Sequence, residues 1–256
     1  MSDTDYERLA PVYERRYETN RYDSIAAALG RLIAEGRAQR ALEVGCGTGH
    51  WLRELGPRLP LLVGVDPSPA MLGEARSRGG PARLVRARAN GLPFGAGAFD
   101  LVFCVHALHH FDDPAGFVRD VVATLRPGGR LAVVGLDAHV PRERWYVYEC
   151  FEGTRETDLR RYPSWPDLTA WMEAAGLEGV EVGIVERIRR TWSGAEVLRE
   201  PFLEKDATSQ LALLSDDAYA AGMDRIRERV RTAEAEGREA AFTIDIELNV
   251  AVGVRV

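Results

Sequence analysis

One stretch of eight residues constrains the fold more than any other part of the chain. Residues 42–49 read Leu-Glu-Val-Gly-Cys-Gly-Thr-Gly, so a short apolar segment is followed by three glycines at alternate positions. Residues 50–55 then have the pattern of a helix. A buried strand, a glycine turn and a helix, in this order, form the site where an open α/β sheet binds a nucleotide-like ligand. Glycine lets the backbone turn sharply and approach the ligand, because it has no Cβ.

The spacing of the glycines discriminates between ligands. The dinucleotide fingerprint is G-x-G-x-x-G, whereas Gly45, Gly47 and Gly49 give G-x-G-x-G, with Glu43 two places before the first of them. A carboxylate at this position repels a pyrophosphate and tolerates a ligand with a cationic amino-acid end. The spacing therefore disfavours a dehydrogenase.

The composition limits the class of protein. The chain has 256 residues, of which 46% are hydrophobic, and this suits one domain with a sizeable core. The net charge of -6 makes a nucleic-acid backbone an unexpected partner. No apolar run approaches the roughly 20 residues that span a bilayer, and the acidic start lacks the apolar region of a signal peptide. We therefore expect a cytoplasmic protein that binds no membrane and no nucleic acid.

The cysteines point to packing rather than to chemistry. Cys46, Cys104 and Cys150 are far apart and lack the spacing of metal ligands. The first two fall in predicted core elements, where a free cysteine packs as a small hydrophobic side chain. We expect reduced thiols and no metal site, as is usual in a cytoplasmic protein.

A second strand and its carboxylate follow the glycine turn. Residues 60–66 form an apolar run that ends in Asp66. A nucleoside-binding fold places an acid about 20 residues after the glycine turn, where it accepts hydrogen bonds from ribose hydroxyls. The alternative is an ordinary capping or loop acid. Ser68 and Pro69 have the residue types of a helix start, so a helix should follow.

Two further stretches complete the pattern of a parallel sheet. Residues 99–105 form a nearly continuous apolar strand, as expected for a central parallel strand, and lead into a histidine-rich loop at 106–110. A helix is predicted from 114 to 126. It ends in the turn Leu-Arg-Pro-Gly-Gly at 125–129, which leads into a fifth strand at 130–134.

These stretches resemble a known family. The segment 43–49 is similar to motif I of the class I S-adenosylmethionine-dependent methyltransferases, of the small-molecule type known as type 11. The Phe-Asp-Leu-Val segment at 99–102 and the turn at 125–129 resemble that family's fourth strand and its turn into strand five. The resemblance is tight over roughly residues 38–136 and covers the rest only in topology. It implies an α/β fold with a Rossmann-like, seven-stranded, doubly wound sheet. The sheet is mostly parallel with an antiparallel last strand, and helices cover both faces.

The resemblance also implies the cofactor and its site. S-adenosyl-L-methionine is the expected cofactor. Its expected binding residues lie in the N-terminal segment, the glycine turn and the ends of the next strands: Tyr13, Glu43, Gly45, Cys46, Gly47, Gly49, Asp66, Pro67, Met71, Ala89, Asn90, Val105 and His106. Met71 is expected to pack against the adenine, with ordinary helix core as the alternative.

One position departs from the family. Where the family often has Asp-Ala-x-x-Leu-Pro-Phe, residues 88–94 read Arg-Ala-Asn-Gly-Leu-Pro-Phe. The family's aspartate accepts a hydrogen bond from the adenine amino group, and Arg88 only donates. The backbone of Ala89 and the side-chain carbonyl of Asn90 remain as substitutes.

The expected organisation is one methyltransferase domain over residues 1–256. Its parts are an N-terminal lid with helices (1–37), a cofactor-binding core (38–136), cap or insert helices (137–176 and 194–237) and the last strand (240–256). The tyrosine-rich N-terminal segment either closes over the cofactor or packs as a helix on the body. The aromatic residues of 137–163 either line an acceptor pocket or cover the core.

The expected reaction is in-line attack of an acceptor on the sulfonium methyl carbon, for which the protein mainly aligns the reactants. His106 and His110 are the candidate general bases, ahead of His109, and are needed only if the acceptor holds its proton. Capping or packing is their alternative role. The expected partner is a small-molecule acceptor, and a homodimer is left open. The other hypothesis is a non-catalytic protein that binds S-adenosylmethionine or its demethylated product, which the departure at Arg88 favours.

Overall fold

A mixed β-sheet with helices on both faces forms the body of the protein. The computed structural model describes residues 6–140 and 144–256, so parts of the predicted lid (1–5) and insert (141–143) lie outside the described ranges. The strands are β1 (Arg40–Val44), β2 (Leu61–Asp66), β3 (Arg83–Arg86), β4 (Phe99–Val105), β5 (Leu125–Leu136), β6 (Arg144–Trp145), β7 (Leu177–Ser193) and β8 (Ala241–Arg255). The helices are α1 (Tyr6–Leu9), α2 (Arg15–Thr19), α3 (Asp23–Glu35), α4 (His50–Leu55), α5 (Pro69–Ser77), α6 (Pro114–Thr124), α7 (Tyr146–Cys150), α8 (Thr154–Arg161), α9 (Trp165–Ala174), α10 (Ser209–Ala212) and α11 (Asp216–Ala235).

The strand order confirms the predicted Rossmann-like fold. The described strands follow the order β3-β2-β1-β4-β5-β8, and β7 pairs with β8. The first five strands are parallel to their neighbours, and β8 is antiparallel to both β5 and β7. The two-residue β6, which we did not predict, pairs with β8 at Ile244 and Asp245, beyond the end of β5.

The core has two layers because the central strands are buried on both faces. Phe103 and Val105 of β4 pack in one cluster with apolar side chains of α3 and α4. Cys104, between them, packs in the other cluster with Phe117 of α6 and Leu168 of α9. Successive side chains of a strand point to opposite faces, so one apolar run serves both layers.

The predicted turn at 125–129 belongs largely to a strand. Helix α6 ends at Thr124 rather than at 126, and β5 begins at Leu125. Asp100 fixes this region: its carboxylate accepts hydrogen bonds from Arg126 Nε (2.5 Å) and from the backbone N–H groups of Gln39 and Arg40 (2.8 Å each). Asp100 therefore aligns the starts of β1, β4 and β5 on one another.

A long antiparallel pair extends the sheet past its core. Strand β7 runs from Leu177 to Ser193 and pairs with β8 over 241–255. Strand β5 pairs only with 248–254 of β8. The remaining half of the pair, residues 186–193 and 241–247, projects beyond β5, and we call it the overhang.

Helix α7 and the 3₁₀ turn at Gly194–Arg199 pack on the overhang. The region predicted as helical, 194–237, consists of two 3₁₀ turns, α10 and α11. Within residues 6–140 and 144–256, no helix combines the length and apolar character needed to cross a bilayer.

Candidate active site

The glycine turn after β1 has the backbone that its sequence predicts. Gly45, Gly47 and Gly49 have φ values of +78°, +49° and +76°, a region that favours glycine. The N–H groups of Gly45 and Cys46 donate to Val65 O at 2.8 and 3.0 Å, which fixes the turn to β2. A Cβ on Gly45 would lie only 2.4 Å from Ala107 Cβ. Packing against the β4 loop therefore demands glycine at this position.

Gly47 faces a different environment. A Cβ added there would meet Tyr13 Cε1 at 3.8 Å and Met71 Sδ at 4.0 Å, both at ordinary contact distance. Gly47 thus borders the space between the glycine turn and the N-terminal segment. Met71 is buried with Leu9 and Ala10 in a small cluster under that segment, which matches the helix-core alternative for its role.

Asp66 stabilises the glycine turn. Its Oδ2 accepts from Gly47 N–H and its Oδ1 from Ser68 N–H, both at 2.9 Å. Burial raises the pKa of this carboxyl, while the two backbone hydrogen bonds oppose that rise. These contacts fit a loop acid. A carboxylate has about four acceptor positions, so Asp66 retains capacity for ribose hydroxyls.

Glu43 carries a buried carboxylate oxygen that has no hydrogen-bond partner among the described residues. The residue is 1% exposed, and no group within the described ranges hydrogen-bonds to its Oε2. Burial, followed by the nearby charge of Asp66, raises the pKa of Glu43 well above its usual value. A buried acceptor without a partner is costly. The cationic amino group of S-adenosylmethionine would supply the missing donor, so the residues present fit this cofactor.

A small pocket of about 60 Å³ lies next to the glycine turn, with Gly45, Pro67, Ala89 and Asn90 in its lining. These are residues predicted to surround the cofactor. Arg88 lies at its edge, where its Nη1 is 3.3 Å from Asp112 Oδ2 and both side chains are largely exposed. Arg88 is therefore drawn toward Asp112 at the rim.

Three other residues predicted to bind the cofactor, Cys46, Gly49 and Val105, lie in the packed surroundings of the glycine turn. Cys46 is buried, and burial raises the pKa of its thiol well above the usual value. Gly49 is the residue that precedes α4, and Val105 is buried at the end of β4. These three shape the turn and its support through their backbones and volumes.

The N-terminal segment is attached to the glycine turn by several contacts. Glu14 accepts from Thr48 Oγ1 (2.5 Å) and from Arg53 Nη2 (2.8 Å). The Tyr17 ring stacks on His50 with centroids 3.6 Å apart. These contacts pack the N-terminal segment on the body, and the Tyr13 ring lies next to Gly47.

A larger cavity of about 340 Å³ lies beside this segment. Its lining is rich in aromatic residues: Tyr6, Tyr13, Tyr22, Trp145, Tyr146, Tyr162, Trp192 and Phe202. Three of these come from the aromatic insert, whereas Phe151 of the same insert is fully buried in the core. The two alternatives for the insert therefore each describe part of it.

The histidines after β4 occupy distinct positions on this cavity. His106 has a left-handed φ of +52° and borders the cavity, and its buried Nε2 has no hydrogen-bond partner among the described residues. Burial, reinforced by Arg16, lowers its pKa to about 4. A strained backbone at a bulky residue is a feature of functional sites. His106 is thus a neutral histidine with a free ring nitrogen.

His110 and His109 are engaged by tyrosines. His110 borders both pockets, and its Nε2 lies 2.5 Å from Tyr6 Oη. Burial, followed by the charge of Arg161, lowers the pKa of His110 to about 3. His109 Nε2 lies 3.1 Å from Tyr162 Oη, and the two rings stack.

Sequence reasoning missed several cavity residues. Tyr6 and Tyr22 come from the N-terminal segment, and Glu200 comes from the turn after the overhang. In β7, Trp192 and every residue from Glu186 to Arg190 border the cavity. Four of the five residues 186–190 are charged, so no apolar alternation indicated a strand there.

The fold, the glycine turn and the orphan carboxylate together define a class I S-adenosylmethionine-dependent methyltransferase. Residues 14–182 match the family model described as "Methyltransferase domain", and the chain belongs to this family.

The relatives carry different activities in their names. The chain is 29% identical over 160 residues to a tRNA U34 carboxymethyltransferase of Saccharophagus degradans, a match that covers 57% of this chain and 47% of that protein. It is 27% identical over 170 residues to O-methyltransferase rstn1 of Aspergillus nomiae, covering 62% and 73%. The chain thus spans about half the length of the first of these relatives.

The crystal structure of an S-adenosylmethionine-dependent methyltransferase from Thermotoga maritima is similar in fold. The TM-score is 0.59 at 21% identity, and the match covers 98% of each chain.

Proposed function

We propose that this protein transfers the methyl group of S-adenosylmethionine to a small molecule held in the 340 Å³ cavity. The supporting observation is the position of this cavity, whose lining includes Tyr13 and His106 on the side of the glycine turn. Pockets of 300–1,000 Å³ with mostly apolar walls are typical small-molecule sites. In this proposal residues 38–136 bind the cofactor, and the described N-terminal segment, the aromatic insert, β7 and β8 enclose the acceptor.

The chain's own residues have simple roles. S-adenosylmethionine, when bound, supplies a methyl group already activated on a sulfonium. Glu43 holds the amino group, Asp66 accepts from the ribose, and Pro67, Ala89 and Asn90 surround the adenine. Alignment and exclusion of water then account for most of the rate.

Proton removal is assigned to His106. His106 borders the cavity, its buried Nε2 has no hydrogen-bond partner among the described residues, and the ring stays unprotonated at neutral pH because its pKa is lowered to about 4. It can therefore accept a hydrogen bond, and then a proton, from an acceptor hydroxyl or amine. His110, held by Tyr6, positions the acceptor from the other side.

A second candidate is a nucleotide of tRNA, supported by the name of one relative. Two observations count against it. The net charge is -6, and Arg187 and Arg189 of the overhang form ion pairs with Glu247 and Asp245. Such paired charges attract a phosphate backbone weakly.

The first test is calorimetric titration with S-adenosylmethionine, its demethylated product and NAD, followed by transfer of labelled methyl groups. We expect micromolar binding of the first two ligands and none of NAD. Label should then appear in small metabolites and not in tRNA. Binding without transfer to any acceptor would favour the non-catalytic hypothesis, and label in tRNA would favour the second candidate.

A further inference from the structure

We call the 340 Å³ cavity the acceptor cavity. The pairing register of β8 shows that its two ends lie at different levels of the sheet. Ile244, Ile246 and Leu248 line it from alternate positions of β8. Leu248 pairs with Leu136 at the end of β5, near His106, whose N–H donates to Val134 O. Ile244 pairs with Arg190 of the overhang. Four residues of strand separate the two levels by about 13 Å, so the cavity has a cofactor end and a distal end.

The distal end contains a buried carboxylate. The side chain of Glu200 is 3% exposed and borders the cavity. Its Oε2 lies 3.4 Å from Arg190 Nη1, but its Oε1 is buried and finds no hydrogen-bond partner in residues 6–140 or 144–256. A buried acceptor left unpaired is destabilising. A donor on a ligand would remove that cost.

The surrounding wall suits a positive charge. The Tyr146 and Trp192 rings lie edge to face with centroids 5.4 Å apart, and Trp192 already carries the Arg190 guanidinium at 4.7 Å from its centroid. Aromatic faces attract cations in this way. Burial, and then the charge of Glu200, raises the pKa of the Tyr146 hydroxyl, whereas the charge of Arg190 lowers it.

We propose that the distal end binds a protonated amino group of the acceptor, which donates to Glu200 Oε1 and lies against the Tyr146 and Trp192 rings. This inference rests on the proposed function, since it specifies the acceptor of the same site. The amino group anchors the acceptor and is not the methylated atom, because about 13 Å of strand separate it from the level of His106. A hydroxyl would also satisfy Oε1, but a charged donor makes a stronger bond to a carboxylate.

The test compares two ligands that differ in charge: 4-phenylbutylammonium and 4-phenylbutan-1-ol. Their affinities for the full-length protein are measured by calorimetry, with and without the demethylated cofactor product. We expect the ammonium ion to bind at least about tenfold more tightly than the alcohol. Glu200→Gln should remove that preference while it changes the affinity for the alcohol by no more than about twofold.

Two further variants separate recognition from structure. Arg190→Gln removes the cation that competes for Glu200, so the ammonium ion should bind more tightly, by roughly three- to tenfold. If the ion pair of Glu200 and Arg190 only stabilised the fold, both Glu200→Gln and Arg190→Gln would weaken the binding of both ligands. Glu186→Gln is the matched control, because it removes one negative charge from the same cavity. Equal losses in Glu186→Gln and Glu200→Gln would overturn the proposal, as would equal affinities for the two ligands in the unaltered protein.

The binding measurements described above involve no methyl transfer, so the amine site and the proposed function can fail separately. A protein that binds the ammonium ion through Glu200 but fails to bind S-adenosylmethionine would contradict the proposed function and leave the amine site standing. A protein that methylates only uncharged acceptors, with no effect of Glu200→Gln, would contradict the amine site alone.

Discussion

Gly47 offers a direct test of where the cofactor binds, because a methyl group can be added there with little damage to the fold. Its Cβ would be in ordinary contact with Tyr13 and Met71, at 3.8 and 4.0 Å. The positive φ of +49° remains a cost, about 1–2 kcal/mol for alanine. Gly47→Ala should therefore fold, with a free energy of unfolding lower by about that amount. For a chain of this size we expect a Tm lower by very roughly 2–8 °C.

Gly47→Ala should also weaken cofactor binding, by more than the loss of folding stability alone would cause. In the proposed site, the added methyl group occupies space between Gly47 and Tyr13 that the cofactor would use. Overpacking a fitted site costs about 1–3 kcal/mol, which corresponds to roughly a 5- to 150-fold higher Kd for the demethylated product. The measurements are urea denaturation for stability and calorimetric titration for affinity.

Two other glycines provide the controls. Gly45→Ala would bring Cβ atoms within 2.4 Å of each other, so it should destabilise the fold well beyond Gly47→Ala. Gly73 lies in α5, and no heavy atom of the described residues lies within the 4 Å contact range of an added Cβ. Gly73→Ala should stabilise by about 0.5–1 kcal/mol and leave affinity unchanged. If Gly47→Ala binds like the unaltered protein, the cofactor does not pass between Gly47 and the N-terminal segment.

Three further predictions follow from buried polar groups. Asp66→Asn should raise the Kd for the demethylated product at least about tenfold, since a charged acceptor of ribose hydroxyls is lost; calorimetry that shows no change would remove Asp66 from the site. Glu14→Gln should loosen the N-terminal segment from Thr48 and Arg53, and faster hydrogen exchange over residues 6–22 would show it, whereas unchanged exchange would argue against a latch. The pKa of His106 is 6.5 in the unfolded chain and about 4 in the folded protein. As the pH falls from 7.5 to 5, protonation of the unfolded chain should therefore lower the free energy of unfolding by about 2 kcal/mol. His106→Asn should remove that part of the pH dependence in urea denaturation, and an unaltered slope would contradict the lowered pKa.

The sequence predicted the parts of the molecule that follow local rules. The glycine turn was predictable because only glycine adopts its φ values without strain, and the central strands were predictable because burial on both faces demands continuous apolar residues. Ser68 caps α5 as expected, with its Oγ accepting from Met71 N–H.

The acceptor cavity was less predictable, because pairing between distant segments creates it. Because Glu186 and Arg190 are charged, the sequence pattern did not indicate a strand there. Pairing of β7 with β8 brings these residues to the cavity. Glu200 had no local signal at all, since its burial depends on α11 and the overhang packing around its turn. Arg88 stayed at the rim because Asp112, also distant in sequence, pairs with it.

In the proposed function, the overhang lets one sheet serve two ligands independently. Strand β8 pairs with β5 over 248–254 and thereby completes the core, while its first half pairs only with β6 and β7. The glycine turn and Asp66 lie at the ends of β1 and β2, four and five strand positions away from β7 in the sheet order. Substitutions in the overhang therefore change the distal wall of the acceptor cavity without contact to the cofactor residues. The acceptor can thus vary by changes in 186–193 and 241–247 while the strand, turn and helix that begin at Arg40 stay the same.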